Sequence, residues 1–381
     1  MTVVPAEAAL SWFRDAALPL WARNGLDRER GGFHEALDQA GRPVGDYRRL
    51  RVLSRQIYVF SAAFRLGCEG AEAGLDHGLH FLRNRALHAD GGYANRFDLD
   101  GVVIDETRDL YDLAFVAFAL ANAFDVTGDE TLRDDAHALA AFLDERMRHA
   151  AGGFVEALPI RLPRRQNPHM HLFEAALAWS ELDPEGPYPA LARDIAEVFR
   201  QRLFQPRSGM LPELFDDRLI PISGPDGWLI EPGHHFEWVW LIHHAERLEL
   251  MSGGDIAGQL MHVANSCGMD RDSGLPIGEV RADGSPGTAP TRLWAVAEWL
   301  KAEAVTDEPD RKSRIDCAWE RLGRFLDTQR PGLWHERWCH ERRGFLEGPA
   351  PATSLYHIVL AIETLLETAG QHPSPFAGRR Q

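Results

Sequence analysis

Six times along the 381 residues a glycine-bearing turn recurs, at intervals of roughly sixty residues, and such a period restricts a chain to repeat architectures. The turns are Gly31-Gly32-Phe33-His34-Glu35, Gly91-Gly92-Tyr93, Gly152-Gly153-Phe154-Val155-Glu156, Ser208-Gly209-Met210-Leu211-Pro212-Glu213, Ser273-Gly274-Leu275 and Pro331-Gly332-Leu333-Trp334. Each sets a glycine before an apolar or aromatic residue, with an acidic or polar group soon after.

Between these turns the apolar spacing predicts paired helices. The first of each pair falls near 5–24, 71–86, 129–149, 188–203, 255–267 and 310–328. The second falls near 46–65, 106–126, 167–182, 231–250, 291–304 and 353–369. The two sets differ in character. The 310–328 segment gathers Ile315, Ala318, Trp319, Leu322, Phe325 and Leu326 on one stripe and keeps Arg311, Arg314, Glu320 and Arg321 off it, the pattern of a surface helix. The 353–369 segment is apolar nearly all round, as is 236–242, and such helices are buried. The first helix of each pair is therefore outer and the second inner.

Links from inner to outer helices are short, whereas outer-to-inner links run to roughly twenty residues and carry the glycine turns; links of that length are commonly functional. All the long links must gather at one end, beside the N-termini of the inner helices. Six hairpins arranged this way predict an all-α (α/α)6 barrel, one domain over residues 1–381. An open α-solenoid is the alternative, but it would not focus side chains on one point.

The net charge of −16 argues against nucleic acid and anionic membrane partners, which call for basic patches. No uncharged apolar run approaches the length of a membrane span, and Glu7, Arg14 and Asp15 argue against a signal peptide. Cys68, Cys267, Cys317 and Cys339 form no CxxC pair and read as reduced thiols in a cytoplasmic protein. Lys301 and Lys312 are the only lysines, and no GxxxxGK[ST] occurs, so a P-loop is excluded. Neither lysine stands in a context that suggests a Schiff base. No dinucleotide fingerprint or HExxH is present.

Buried helices carry few polar groups, and those they carry need partners or a task. The inner segments bring Arg55, Tyr111, Asn167 with His171 and Glu174, His234 with Glu237, Arg292 with Trp294 and Glu298, and His357. Most lie near N-terminal halves, so they converge on one cavity. His234 and Glu237 share a helical face three residues apart in the run from Glu231 to Trp240. The positive end of the helix dipole there predicts a neutral His234 near pH 7, as a general base requires. Each residue also has a plainer reading: a hydrogen-bonded core histidine, an Arg55 ion pair with Glu237 or Glu298, packing by Tyr111 and Trp294. His169 and His171 cannot share a helical face, which places His169 outside the cavity. His243, His244 and the 334–341 cluster with Cys339 and His340 read as surface or loop. The scattered histidines show no zinc spacing, so no metal and no cofactor is expected.

With these residues in place, the chain resembles the N-acylglucosamine 2-epimerase superfamily, over about residues 12–369. The resemblance is carried by segments 51–60, 111–120, 167–177, 232–240, 292–300 and 351–362, most specifically by the PGHxxEW run at 232–238 and the Tyr356-His357 pair. It implies the (α/α)6 barrel. It further implies His234 and His357 as an acid/base pair, Arg55 on the sugar oxygens, and Glu237, Tyr111, Asn167, His171, Trp294 and Glu298 around the substrate. The Pro351-to-His357 run looks most like the mannose isomerase and sulfoquinovose isomerase branch. The implied reaction is interconversion of D-mannose and D-fructose, with D-lyxose and D-xylulose as a second pair, by ring opening and proton transfer through a cis-enediol. The neighbouring alternative is a sugar 2-epimerase of the mannose/glucose, cellobiose or N-acylglucosamine type. A glycoside hydrolase using Glu237 and Glu298, or a non-catalytic sugar-binding protein, stands further off. The expected partner is a monosaccharide, and the expected assembly a monomer or homodimer. In this reading His357 moves the C2/C1 proton and His234, oriented by Glu237, opens the ring; the residues alone leave the two roles exchangeable.

Overall fold

A computed structural model describes residues 5–224, 228–307 and 309–371. Its helices, in chain order, are α1 (5–24), α2 (Leu50–Arg65), α3 (71–86), α4 (Leu110–Thr127), α5 (130–147) and α6 (Gln166–Leu182), followed by α7 (188–203), α8 (Pro232–Arg247), α9 (Ile256–Cys267), α10 (Leu293–Val305), α11 (Arg311–Leu326) and α12 (Ala352–Thr368). Even-numbered helices form the inner ring and odd-numbered ones the outer. Each inner helix packs on the next, and α12 returns to α2, which closes the (α/α)6 barrel. Outer helices pack against the inner helix that precedes them, and α1 covers α12.

Burial follows the sequence pattern. Every residue of α12 from Ala352 to Leu366 is buried, whereas α11 buries only Ala318, Leu322, Phe325 and Leu326. Among the described helices only α4 is long and apolar enough to cross a membrane, and 72% of that stretch is buried within the barrel wall. The α1, α3, α5 and α7 helices each contain one five-residue π turn, at Phe13–Ala17, Leu82–Ala86, Leu143–Met147 and Phe199–Leu203.

The long links are not featureless. The residues just before each inner helix pair antiparallel with the following link: 48–49 with 96–97, 108–109 with 157–158, 164–165 with 214–215, Ile230 with Val280, 291–292 with 337–338, and 350–351 with 36–37. This girdle of short strands runs right round the mouth. The closing pairing is reinforced where Trp21 stacks on Trp334 at 5.1 Å and donates its indole N–H to the Gly332 carbonyl. Trp334 lies in a link, within the surface-or-loop expectation, but its side chain is buried in the core.

The repeated turns explain how the inner helices begin. The first N–H of α2, α4, α6, α10 and α12 has no intrahelical partner. It donates instead to the carbonyl of Asn95, Glu156, Glu213, Glu336 and Glu35 respectively, the polar residue closing each turn. The side chains of these acids hold helix starts as well. Glu35 takes the backbone N–H and guanidinium of Arg49, and Glu156 does the same for Arg165. The polar residue of the turn, an acid in four cases and Asn95 in the fifth, is therefore first a capping device for five of the six inner helices.

Candidate active site

Because all inner helices start at the girdle, their first turns converge on one cavity of about 90 Å³. Arg55, Tyr111, Asn167, His171, His234, Glu237, Trp294 and His357 all line it, as do Glu231 and Arg292. Glu298 does not reach the cavity but lies behind His357. His169 stays outside, accepting the Phe154 N–H and facing the Arg165 carbonyl. Clefts of about 460 and 470 Å³ elsewhere on the surface, beside Arg193 and Arg200 and beside Arg28 and Arg30, bring no buried acid–base groups together.

His234 sits in the first turn of α8. Its Nδ1 lies 2.8 Å from Glu213 Oε1, and its Nε2 lies 3.0 Å from the Asn167 amide. Glu213 also accepts the Glu231 N–H and the Gln166 amide. Here the capping acid of the fourth turn meets a histidine where Glu35 and Glu156 meet arginines. The expected orientation of His234 by Glu237 is therefore not observed, because the neighbouring turn fills that place first. Nor does the expectation of a neutral His234 hold. Burial lowers its pKa, but Glu213, with Glu231 and Glu237, outweighs burial and raises it to about 9. A helix end contributes about half a charge, spread over a turn, whereas Glu213 presents a whole one at 2.8 Å. Asn167 can serve either state of the ring, since rotating the amide exchanges donor for acceptor.

His357 is the opposite case. Its Nδ1 lies 2.7 Å from Glu298 Oε1, leaving Nε2 for the cavity. Burial, then Arg55 and Lys301, hold its pKa well below the usual histidine value. The indole of Trp294 stands between the imidazoles, with its centroid 4.8 Å from His234 and 5.7 Å from His357.

Arg55 forms no ion pair with Glu237 or Glu298. Its guanidinium donates to the Tyr111 hydroxyl at 2.7 Å and to Thr353, and it lies 4.1 Å from the Phe115 ring centre. It is thus held by neutral groups and keeps its charge for a ligand. His171 shares a proton with Glu174 at 3.1 Å, and burial pushes its pKa well down. Glu237 is buried with neither oxygen hydrogen-bonded, and its Oε1 lies 3.7 Å from His171 Nδ1. Burial, then Glu298, raises its pKa well above the carboxylate range.

Reading the sequence named Glu174 but gave no role at the site to Glu213, Tyr356 or Lys301. Glu213 was visible only as a turn mark. Glu174 and Tyr356 form a hydrogen-bonded pair below His171. Lys301 is fully buried and lies 2.7 Å from Glu298 Oε2, where the sequence suggested no role. His244 is likewise buried rather than at the surface. Among the described residues, three sets of side chains could hold a cation: His171 with Glu174 and Glu237, Glu213 with Glu231 and His234, and Glu237 with Glu298 and His357. In each set the histidine already has a carboxylate partner.

Comparison with known proteins agrees with this architecture. The N-acylglucosamine 2-epimerase (GlcNAc 2-epimerase) family matches residues 31–361. A mannose-6-phosphate isomerase of Rhizobium meliloti (strain 1021) is 38% identical over 374 residues, covering 93% of this chain and 95% of its own. A D-mannose isomerase of Thermobifida fusca is 27% identical over 329 residues, covering 78% and 79%. The crystal structure of a D-mannose isomerase superposes with a TM-score of 0.85 at 21% identity, covering 95% of this chain and 97% of the other. On the extent of the family match and the 38% identity, this chain is a member of the N-acylglucosamine 2-epimerase family, whose relatives are sugar isomerases and epimerases.

Proposed function

We propose that the chain is an aldose–ketose isomerase that interconverts D-mannose and D-fructose through a cis-enediol, without a metal or cofactor, and that D-lyxose and D-xylulose form a second substrate pair. One observation carries the reading. Two imidazoles line one cavity, and their environments push their proton affinities in opposite directions. Titratable pairs separated in this way supply an acid and a base at the same pH.

The steps balance on the residues present. His234 enters as an imidazolium, gives a proton to the ring oxygen and takes the proton of the anomeric hydroxyl. The C1–O5 bond breaks and an aldehyde forms. His357, neutral, removes the proton on C2; the electron pair moves into C1=C2 and charge collects on O1, where Arg55 is the fixed cation that stabilises it. His234 protonates O1 and takes the O2 proton, and His357 returns its proton to C1. The product is the ketose, and both histidines end as they began.

Turnover of D-mannose in deuterated water tests this. Fructose labelled at C1 is expected. Glucose as first product would move the protein to the epimerase alternative, and loss of activity on chelation with recovery by zinc would overturn the metal-free reading. The mannose-6-phosphate isomerase among the relatives raises a phosphorylated substrate. The charges around the cavity favour the neutral sugar: Glu231 lines one side, Glu213 stands behind His234, and the guanidinium of Arg292 at the mouth is already held by Glu336. A higher kcat/KM for mannose 6-phosphate than for mannose would reverse that choice.

A further inference from the structure

We propose that Lys301 is a positioning residue which, through Glu298, fixes the nitrogen that His357 presents to the cavity. The inference rests on the isomerase reading only for the task of His357; the geometry stands apart from it. Lys312 is exposed on α11, whereas Lys301 is 0% exposed in the barrel wall. Glu298 and Lys301 are three apart on α10 and face each other. The Lys301 Nζ lies 2.7 Å from Glu298 Oε2 and 4.1 Å from the centre of the Trp240 ring. The other oxygen of Glu298 meets His357 Nδ1 at 2.7 Å. Lysine, carboxylate and imidazole thus form one line that ends at the cavity.

The surroundings say what the ammonium is for. Three buried carboxyls crowd this level: Glu174 on α6, Glu237 on α8 and Glu298 on α10. His234, His171 and Arg55 also face it. Glu174 is held by the Tyr356 hydroxyl and His171, and Glu237 has no hydrogen-bond partner, only His171 Nδ1 at 3.7 Å. Glu298 has a cation at ion-pair distance. Burying two charges costs several kcal/mol each, and a buried pair is seldom more stable than an apolar one. What the pair adds is a pull towards the ionised state of Glu298. Burial raises its pKa and Lys301 pulls it back, leaving it at about 7. An ionised Glu298 can only accept, so His357 must carry its proton on Nδ1 and keep the Nε2 lone pair free. A protonated Glu298 can donate to Nδ1, which would put the proton on Nε2 and remove the base.

The test is the ¹⁵N chemical shifts of the His357 ring, assigned by difference against His357→Asn, at pH 7.5. The wild type is expected to show the Nδ1–H tautomer. In Lys301→Met the Nε2–H tautomer should replace it, and in Lys301→Arg the original should persist. If the Met variant does not fold, Lys301→Gln, which offers a donor without a charge, makes the same comparison. In turnover, kcat should fall ~10²-fold or more, as a wrong imidazole tautomer causes elsewhere, with KM within about threefold. The acid limb of the pH profile should move upward, and Lys301→Arg should recover activity. An unchanged tautomer in a folded, uncharged variant overturns the inference whatever the substrate. A wild type with the Nδ1–H tautomer but no mannose turnover overturns the isomerase reading and leaves the relay standing.

Discussion

His234 and Glu213 are 21 residues apart and meet at 2.8 Å, while Glu237, one turn along the same helix, makes no hydrogen bond to it. The acid that governs this imidazole therefore comes from the glycine turn of the fourth repeat, across the girdle, and not from its own helix.

That relationship sets a pH dependence. The raised pKa of His234 means the imidazolium is present below about 9 and is lost as pH rises through it. A profile of kcat/KM should accordingly fall on an alkaline limb near 9, with an acid limb near 7 from Glu298. Glu213→Gln removes the main cause of the upward shift, so its alkaline limb should move down towards the ordinary histidine value of about 6.5. Glu237 is a lesser cause of that shift than Glu213, so Glu237→Gln should move the limb far less. An unmoved limb in Glu213→Gln would detach His234 from it.

The two histidines should fail differently. His357→Asn removes the group that takes the C2 proton, so neither fructose nor deuterium at C1 or C2 of recovered mannose should form. His234→Asn should slow ring opening most, so supplying the sugar already open, as a chain-locked analogue or at raised temperature, should restore part of the rate. Each change should cost about 10²- to 10⁴-fold in kcat. Retention of deuterium exchange by His357→Asn would assign the carbon proton elsewhere.

Much of this was legible in the chain. The inner and outer helices declare themselves because α12 is apolar on every side while α11 keeps arginines off its stripe. Eight of the nine expected site residues line the cavity, because inner helices that start at one girdle must point their first turns at one place. What could not be read was pairing. Glu213 looks like Glu35 and Glu156 in sequence, and only the fold reveals that its turn faces a histidine where theirs face arginines. Lys301 was passed over for a related reason: i, i+3 spacing from Glu298 is common on exposed helices, and its total burial depends on six helices closing.

Arg55 owes its availability to neutral partners. Its guanidinium is held by Thr353, the Tyr111 hydroxyl and three aromatic faces, with no carboxylate paired to it among the described residues. Arg55→Lys keeps a charge but loses the planar fork and the stacking. A fall in kcat of ~10²-fold is expected, close to that for loss of one oxyanion donor. Tyr111→Phe, which frees one guanidinium N–H, should cost far less. Equal losses in both would point to placement by Tyr111 as the main contribution.

Stability should carry the same signature as the rate. The folded-state pKa of His234 is raised, so its contribution is complete below about 6.5, the unfolded value, and disappears as pH rises through about 9. Glu213, its partner, is lowered: burial raises its pKa, but the His234 charge and the hydrogen bonds to it more than compensate. The pair's contribution is therefore largest between the two unfolded values and should amount to a few kcal/mol. Urea unfolding at pH 6 and pH 9.5 should show the wild type losing stability between them, and Glu213→Gln losing much less. The same loss in both would remove the pair as its source.

Trp294 depends on an absence next to it. A Cβ on Gly233 would lie 2.6 Å from the Trp294 ring and 2.8 Å from the Ala295 side chain, inside any real contact distance. Gly233 itself has no left-handed backbone to explain it, so the glycine is there for the indole. Gly233→Ala must push the ring away, and the ring stands between the two imidazoles. Overpacking of this kind costs about 1–3 kcal/mol of stability. The displaced indole should also alter substrate positioning, so kcat/KM should fall by more than the stability loss explains, and tryptophan emission should shift. If Trp294→Phe, which makes room beside Gly233→Ala, restores stability in the double variant but not turnover, the indole serves the substrate. If it restores both, the indole is only packing.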